Sequence, residues 1–180
     1  MRSLPIVAAA ALALTGCAAS EPNHPALGPL LETIERRLDL AQAVALHKWD
    51  KHQPVQASPR EQQVLSNVRA AAPAHGLAPE RAEAFFADQI EANKLVQYTM
   101  LFHWHRLGTA PDTPRSDLQQ EIRPQLDQLQ TLLLKQLADF EQQKPQHCTT
   151  MVANAVANRP VDHLTQRALI RATGQLCDKS

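Results

Sequence analysis

Three cations fall at regular intervals along the first third of the chain. Arg37 and Lys48 stand eleven residues apart, and Arg60, followed by Glu61, comes twelve residues after Lys48. On a helix an eleven-residue step is about three turns plus 20°, so Arg37 and Lys48 leave the same side. Leu38, Ala41, Ala45 and Trp49 recur beside them at three- and four-residue steps, which marks an apolar helix face. Two cations stacked along such a face could hold a small dianion at two points. Asn93 and Gln97, four residues apart, share a face of another helix and would add neutral amides. The competing reading is a set of solvated polar residues on amphipathic helices.

Other chemistries lack their residues. A metal site needs several ligands on one face. Of the eight histidines, His103 and His105 flank Trp104 and would point about 160° apart on a helix, while His47 and His52 lie near a chain break. No metal and no cofactor are expected. No nucleophile elbow, catalytic triad or phosphate-binding glycine loop is present. The formal net charge is zero, without blocks of like charge, which gives no reason to expect a nucleic-acid partner.

The elements that must position these residues are helical. Leu, Ala and Gln are abundant, glycine is scarce, and strand-like alternation is absent, so an all-α fold of about six helices is expected. The predicted helices run from about Leu30 to Lys51, Pro59 to Ala72, Pro79 to Leu107, Leu118 to Lys144 and Cys148 to Ala157, with a last one capped by Asp162 and reaching about Cys177. Ser58 and Pro59 read as N-cap and first position of the second helix. Pro54, Pro73, the Gly108–Pro114 stretch and Pro145 supply the breaks.

Residues 1–17 read as a signal peptide, with Arg2 as the charged region and Leu4 to Leu14 as an apolar run too short to span a bilayer in the mature protein. Leu14-Thr15-Gly16-Cys17 resembles a lipoprotein lipobox, which would make Cys17 a lipidated first residue; the alternative is ordinary cleavage after the small residues Ala18-Ala19-Ser20. Residues 18–29 then read as a polar tether and 30–180 as one folded domain. The expected location is the periplasm, tethered to the outer membrane through Cys17, or soluble there without the lipid. Cys148 and Cys177 remain, and two cysteines in an exported chain point to one disulfide, the alternative being two separate buried thiols.

The order Arg37, Lys48, Arg60-Glu61, Gln97 resembles the all-helical AroQ-type chorismate mutases. Phe85-Phe86-Ala87-Asp88-Gln89-Ile90-Glu91-Ala92-Asn93-Lys94 and His47-Lys48-Trp49 look like the secreted, gamma subclass of that family. Cys148 and Cys177, flanking Leu164-Thr165-Gln166-Arg167-Ala168-Leu169, resemble its C-terminal disulfide staple. The resemblance runs from about Leu30 to Cys177.

That resemblance implies a cofactor-free Claisen rearrangement of chorismate to prephenate, a step of aromatic amino acid biosynthesis, in a homodimer whose sites each lie within one chain. Arg37 and Arg60 would pin the two carboxylates, Lys48 and Gln97 would donate to the ether oxygen, Glu61 would accept from the ring hydroxyl, and Asn93 would line the carboxylate pocket. Secreted relatives add an arginine from their own fourth helix. The corresponding spacing here falls near Leu132, which carries no charge, with Arg123 and Lys135 as nearby cations. The reading from another class is a non-catalytic helical periplasmic lipoprotein that binds a small anion or a protein partner; a purely structural envelope protein is a third.

Overall fold

The computed structural model describes residues 24–178. The stretch read as a signal peptide, Cys17 and the first part of the stretch read as a tether lie outside the described residues. Within them are six α-helices, α1 (Leu27–Asp50), α2 (Ser58–Ala71), α3 (Pro79–Leu107), α4 (Arg123–Gln142), α5 (Cys148–Ala157) and α6 (His163–Ala172), and no strand. A 3-10 turn, Ala72–His75, follows α2, and a π-helical turn, Leu118–Ile122, leads into α4.

The helices α1 and α3 form the centre. They run in the same direction, because Asn93 meets Arg37 and, twelve residues further along each helix, Trp49 stacks on His105. Leu30, Leu31, Ile34, Leu38 and Ala41 of α1 are buried against Phe85, Phe86, Ala92 and Val96 of α3. On α4, Leu133, Leu134, Leu137 and Phe140 recur at the steps of one helix face and close the core from the side. The helices α2 and α6 pack on α3. A smaller cluster of Ala45, Leu46 and Trp104, with Trp49 against it, fills the far end of the α1–α3 pair.

Where helices begin and end departs from periodicity in three places. Helix α1 starts at Leu27, inside the stretch expected as polar tether, because Leu27 is itself buried in the core and the chain before it is tied by a hydrogen bond between the His24 ring and the Gln143 carbonyl. Helix α2 is not capped by Ser58: Ala57 occupies the cap position, Ser58 is the first helical residue and Pro59 the second. The Glu61 carboxylate reaches back to the Ala57 N–H at 2.9 Å and does the capping instead.

Helix α6 stops at Ala172 and not near Cys177. The residues that follow form turns held from α3. Asp88, almost fully buried, accepts from the Gln175 N–H, the Gln175 side chain and Arg171. Arg81 donates to the Gln175 and Leu176 carbonyls. A Cβ on Gly174 would lie 3.3 Å from the Asp88 carboxylate, so this close approach favours glycine. These long-range bonds replace the backbone bonds that a continued helix would have made. Cys148, the first residue of α5, is disulfide-bonded to Cys177 and locks the end of the chain in place.

Candidate active site

Glu61 is the meeting point of two helices and a loop. The connection between α1 and α2 folds back over the end of α1, and buried Val55 anchors it there. Its Val55 carbonyl accepts from the Lys48 ammonium at 2.5 Å. Its Gln56 side chain donates to Glu61 at 2.9 Å and accepts from Lys94 of α3 at 2.9 Å. Lys94 also contacts Glu61 at 3.4 Å and Glu91 at 2.6 Å.

Below this loop lies a cavity of about 260 Å³. All six residues singled out from the sequence line it: Arg37 and Lys48 from α1, Arg60 and Glu61 from α2, Asn93 and Gln97 from α3. Val44, Val64, Ile90, Leu118 and Leu126 give it apolar walls. Arg123 and Asp127 close it from the α4 side. Five cationic residues therefore face two carboxylates, a surplus of three positive charges among the lining residues. Such a surplus suits a small anion.

The individual groups are prepared to different degrees. Arg37 is only 7% exposed, and its Nε has no hydrogen-bond partner among the described residues. Burial, aided by the nearby charge of Arg60 and opposed by Asp127, pushes its pKa down to about 10, so it remains cationic at neutral pH. A buried guanidinium with an unused N–H carries a desolvation cost that an entering carboxylate would relieve. Lys48 is 9% exposed. Burial holds its pKa below the ordinary lysine value, Glu61 works the other way, and Lys94 adds to the depression. Arg60 is engaged at the surface, donating to Gln63 at 2.8 Å and to Asp127 at 3.0 Å. Gln97 donates to Asn93 Oδ1 at 2.6 Å, and Asn93 donates to the Arg37 main-chain carbonyl at 3.2 Å.

Comparison with known proteins sets this geometry in a family. The model for chorismate mutase type II matches residues 29–98. A secreted chorismate mutase of Mycolicibacterium smegmatis is 31% identical over 133 residues, which are 73% of this chain and 73% of that protein. The chain belongs to the type II chorismate mutase family. The secreted chorismate mutase of Mycobacterium tuberculosis is 28% identical over 156 residues, covering 84% of this chain and 78% of the relative. The crystal structure of chorismate mutase from Burkholderia phymatum superposes with a TM-score of 0.82 at 42% identity, over 86% of this chain and 97% of that one. The resemblance to the all-helical AroQ type, drawn from cation spacing and the helix-three segment, agrees with these matches.

For a chorismate mutase the further arginine matters, and the fold separates the candidates. Arg123, the first residue of α4, lines the cavity and is held by Gln119. Lys135 is on the exposed side of α4, paired with Asp139. Leu132 does not line the cavity. Of the two cations near the expected position, only Arg123 lines the cavity; it follows directly on the π-helical turn Leu118–Ile122.

Sequence reasoning missed Lys94, Gln56 and Asp127. Lys94 directly follows Asn93 in the chain and figures there only as part of the helix-three segment. Only the fold of the 53–57 loop gives it Glu61 and Gln56 as partners. Of the histidines set aside as metal ligands, His105 stacks on Trp49 and His103 is exposed.

Proposed function

We propose that this cavity rearranges chorismate to prephenate, with Arg37 gripping one substrate carboxylate and Lys48 and Gln97 donating to the ether oxygen. The supporting observation is the buried, partly unpartnered Arg37 guanidinium on the same helix face as the Lys48 ammonium. Chorismate is a dianion whose enolpyruvyl arm must fold over its ring. Carboxylate anchors at two points hold that near-attack shape and lower the entropic part of the barrier. Arg60 and Arg123 are the candidates for the second carboxylate, and Arg60 would exchange Asp127 for the substrate.

As the C–O bond breaks, negative charge grows on the ether oxygen. Donors aimed there stabilise the transition state more than the ground state. Lys48 keeps two N–H bonds after donating to Val55, and the Gln97 amide keeps one after donating to Asn93. Asn93 orients Gln97 and ties it to α1. Glu61 accepts from the ring hydroxyl. The reaction is unimolecular and needs no covalent intermediate.

The reading extends to placement in the cell. A secreted protein, anchored to the outer membrane by lipid on Cys17, fits the lipobox-like Leu14-Thr15-Gly16-Cys17 and the names of the secreted relatives. A homodimer with complete sites in each chain fits the family. Labelling with a radioactive fatty acid tests the anchor, and absence of label removes it. Analytical ultracentrifugation tests the dimer. The decisive assay is loss of the ultraviolet absorbance of chorismate on adding purified residues 24–180, with prephenate as the product. No conversion above the spontaneous rate would end this reading.

A further inference from the structure

Lys94 is a cation in the wall of an anion-binding cavity, yet its ammonium is turned to carboxylates of the protein. It bridges Glu91 on its own helix, Glu61 on α2 and Gln56 on the connecting loop. The residue is 9% exposed, so this arrangement is a built one. Burial works against the ammonium, but the bonds to Glu91 and Glu61 outweigh it and lift the Lys94 pKa above the ordinary lysine value.

An ionised carboxylate has about four acceptor sites. On Glu61, Ala57 N–H takes one at Oε1, and the Gln56 amide and Lys94 take two at Oε2. One site is left on a carboxylate that lines the cavity. The three donors come from one loop and one neighbouring helix, and Lys94 is the only one that joins Glu61 to α3.

We propose that Lys94 is a positioning residue for substrate selection: it fixes the Glu61 carboxylate so that its remaining acceptor site is set for a hydroxyl on the ring of the bound dianion. This rests on the reading of the cavity as a chorismate site in which Glu61 accepts from that hydroxyl. The ring hydroxyl takes no part in the bond changes, so its contact with Glu61 is the same in ground and transition states. Loosening Glu61 should raise KM and leave kcat nearly unchanged.

The test compares wild type, Lys94→Met, Lys94→Arg and Glu61→Gln, each checked for its melting temperature. Lys94→Met should raise KM for chorismate about tenfold, the size of a lost hydrogen bond to a charged group, with kcat within about twofold. Lys94→Arg, which keeps the charge, should recover part of that loss. The discriminating probe is a dianionic substrate analogue without the ring hydroxyl, measured as a competitive inhibitor. Lys94→Met and wild type should bind it equally, because the contact that Lys94 sets up is missing.

Equal weakening of chorismate and the deoxy analogue would mean that Lys94 acts only as a charge on the dianion, which overturns the proposal. An unchanged KM in Lys94→Met would overturn it too. Should Lys94→Met fail to fold, Lys94→Ala carries the same comparison, since it too removes the donor. Failure of the underlying reading looks different: wild type itself would not convert chorismate.

Discussion

Gln97 donates from Nε2 to Asn93 Oδ1 at 2.6 Å, and this bond fixes a neutral amide at the wall of the cavity. A neutral donor survives any ordinary pH. A glutamate in its place donates only when protonated, and an unperturbed glutamate titrates near about 4.3. Burial and a bound dianion raise that value, and Lys48 draws it back. Gln97→Glu should therefore retain some activity at acid pH and lose it toward neutrality, while wild type stays comparatively flat. Steady-state rates against pH measure this, and a wild-type profile in the variant would remove Gln97 as the ether-oxygen donor.

Lys48 supplies the charge that the amide lacks. Lys48→Ala should lower turnover by about 10²–10³ wherever Lys48 is cationic in the wild type, the usual cost of a missing oxyanion donor. Lys48→Arg should rescue only part, since a planar fork cannot take the point position of an ammonium. Turnover near wild type in Lys48→Ala would place the site elsewhere.

The pH limb of wild type follows from the same lysine. Its pKa is lowered from 10.5 by burial and by Lys94, against the opposing pull of Glu61. Arg37, Arg60, Arg123 and Asp127 complete the charged groups around the cavity. Lys48 is cationic below its folded pKa, so kcat/KM should fall as pH rises through a value under 10.5. A bound dianion stabilises the ammonium, so the limb in kcat should lie at higher pH than the limb in kcat/KM. Coincident limbs in the two profiles would argue against Lys48 as the titrating group.

Arg123 and Lys135 make a matched pair on α4. Arg123→Ala should raise KM about tenfold by removing a cation from the cavity wall. Lys135→Ala, which breaks only an exposed pair with Asp139, should leave both kinetic constants unchanged. The reverse result would put the fourth-helix cation at Lys135.

The Cys148–Cys177 bond joins residues 29 apart in sequence, neither of which lines the cavity. The chain-entropy model assigns a loop of that span about 3–4 kcal/mol. Cys148→Ser/Cys177→Ser should melt about 10 °C lower, with kcat at low temperature unchanged. A parallel loss of activity at low temperature would show that the C-terminal turns support the site directly.

Helical class, the bounds of α3 and the three cations that line the cavity from α1 and α2 were all legible along the chain. These are local properties: apolar residues at helical steps make faces, and an eleven-residue step puts Arg37 and Lys48 on one of them whatever packs against it. The choice of Cys148 and Cys177 as a pair was equally open to reading, because only two cysteines remain after Cys17. The remaining features arise from contacts between elements distant in the chain. Helix α6 ends at Ala172 because Asp88 and Arg81, more than eighty residues earlier, take the backbone groups of the following turns. Ser58 loses its expected capping role to Glu61, which accepts from the Ala57 N–H and is itself held by Gln56 and by Lys94 of α3. Arg123 lines the cavity because α4 packs beside α1 and its Asp127 pairs with Arg60 of α2, which no spacing along α4 records. Lys94 faces Glu61 because two helices with unrelated sequence positions meet across one loop. Helical periodicity records how a residue sits on its own helix; which charges then confront each other is set by how the helices pack.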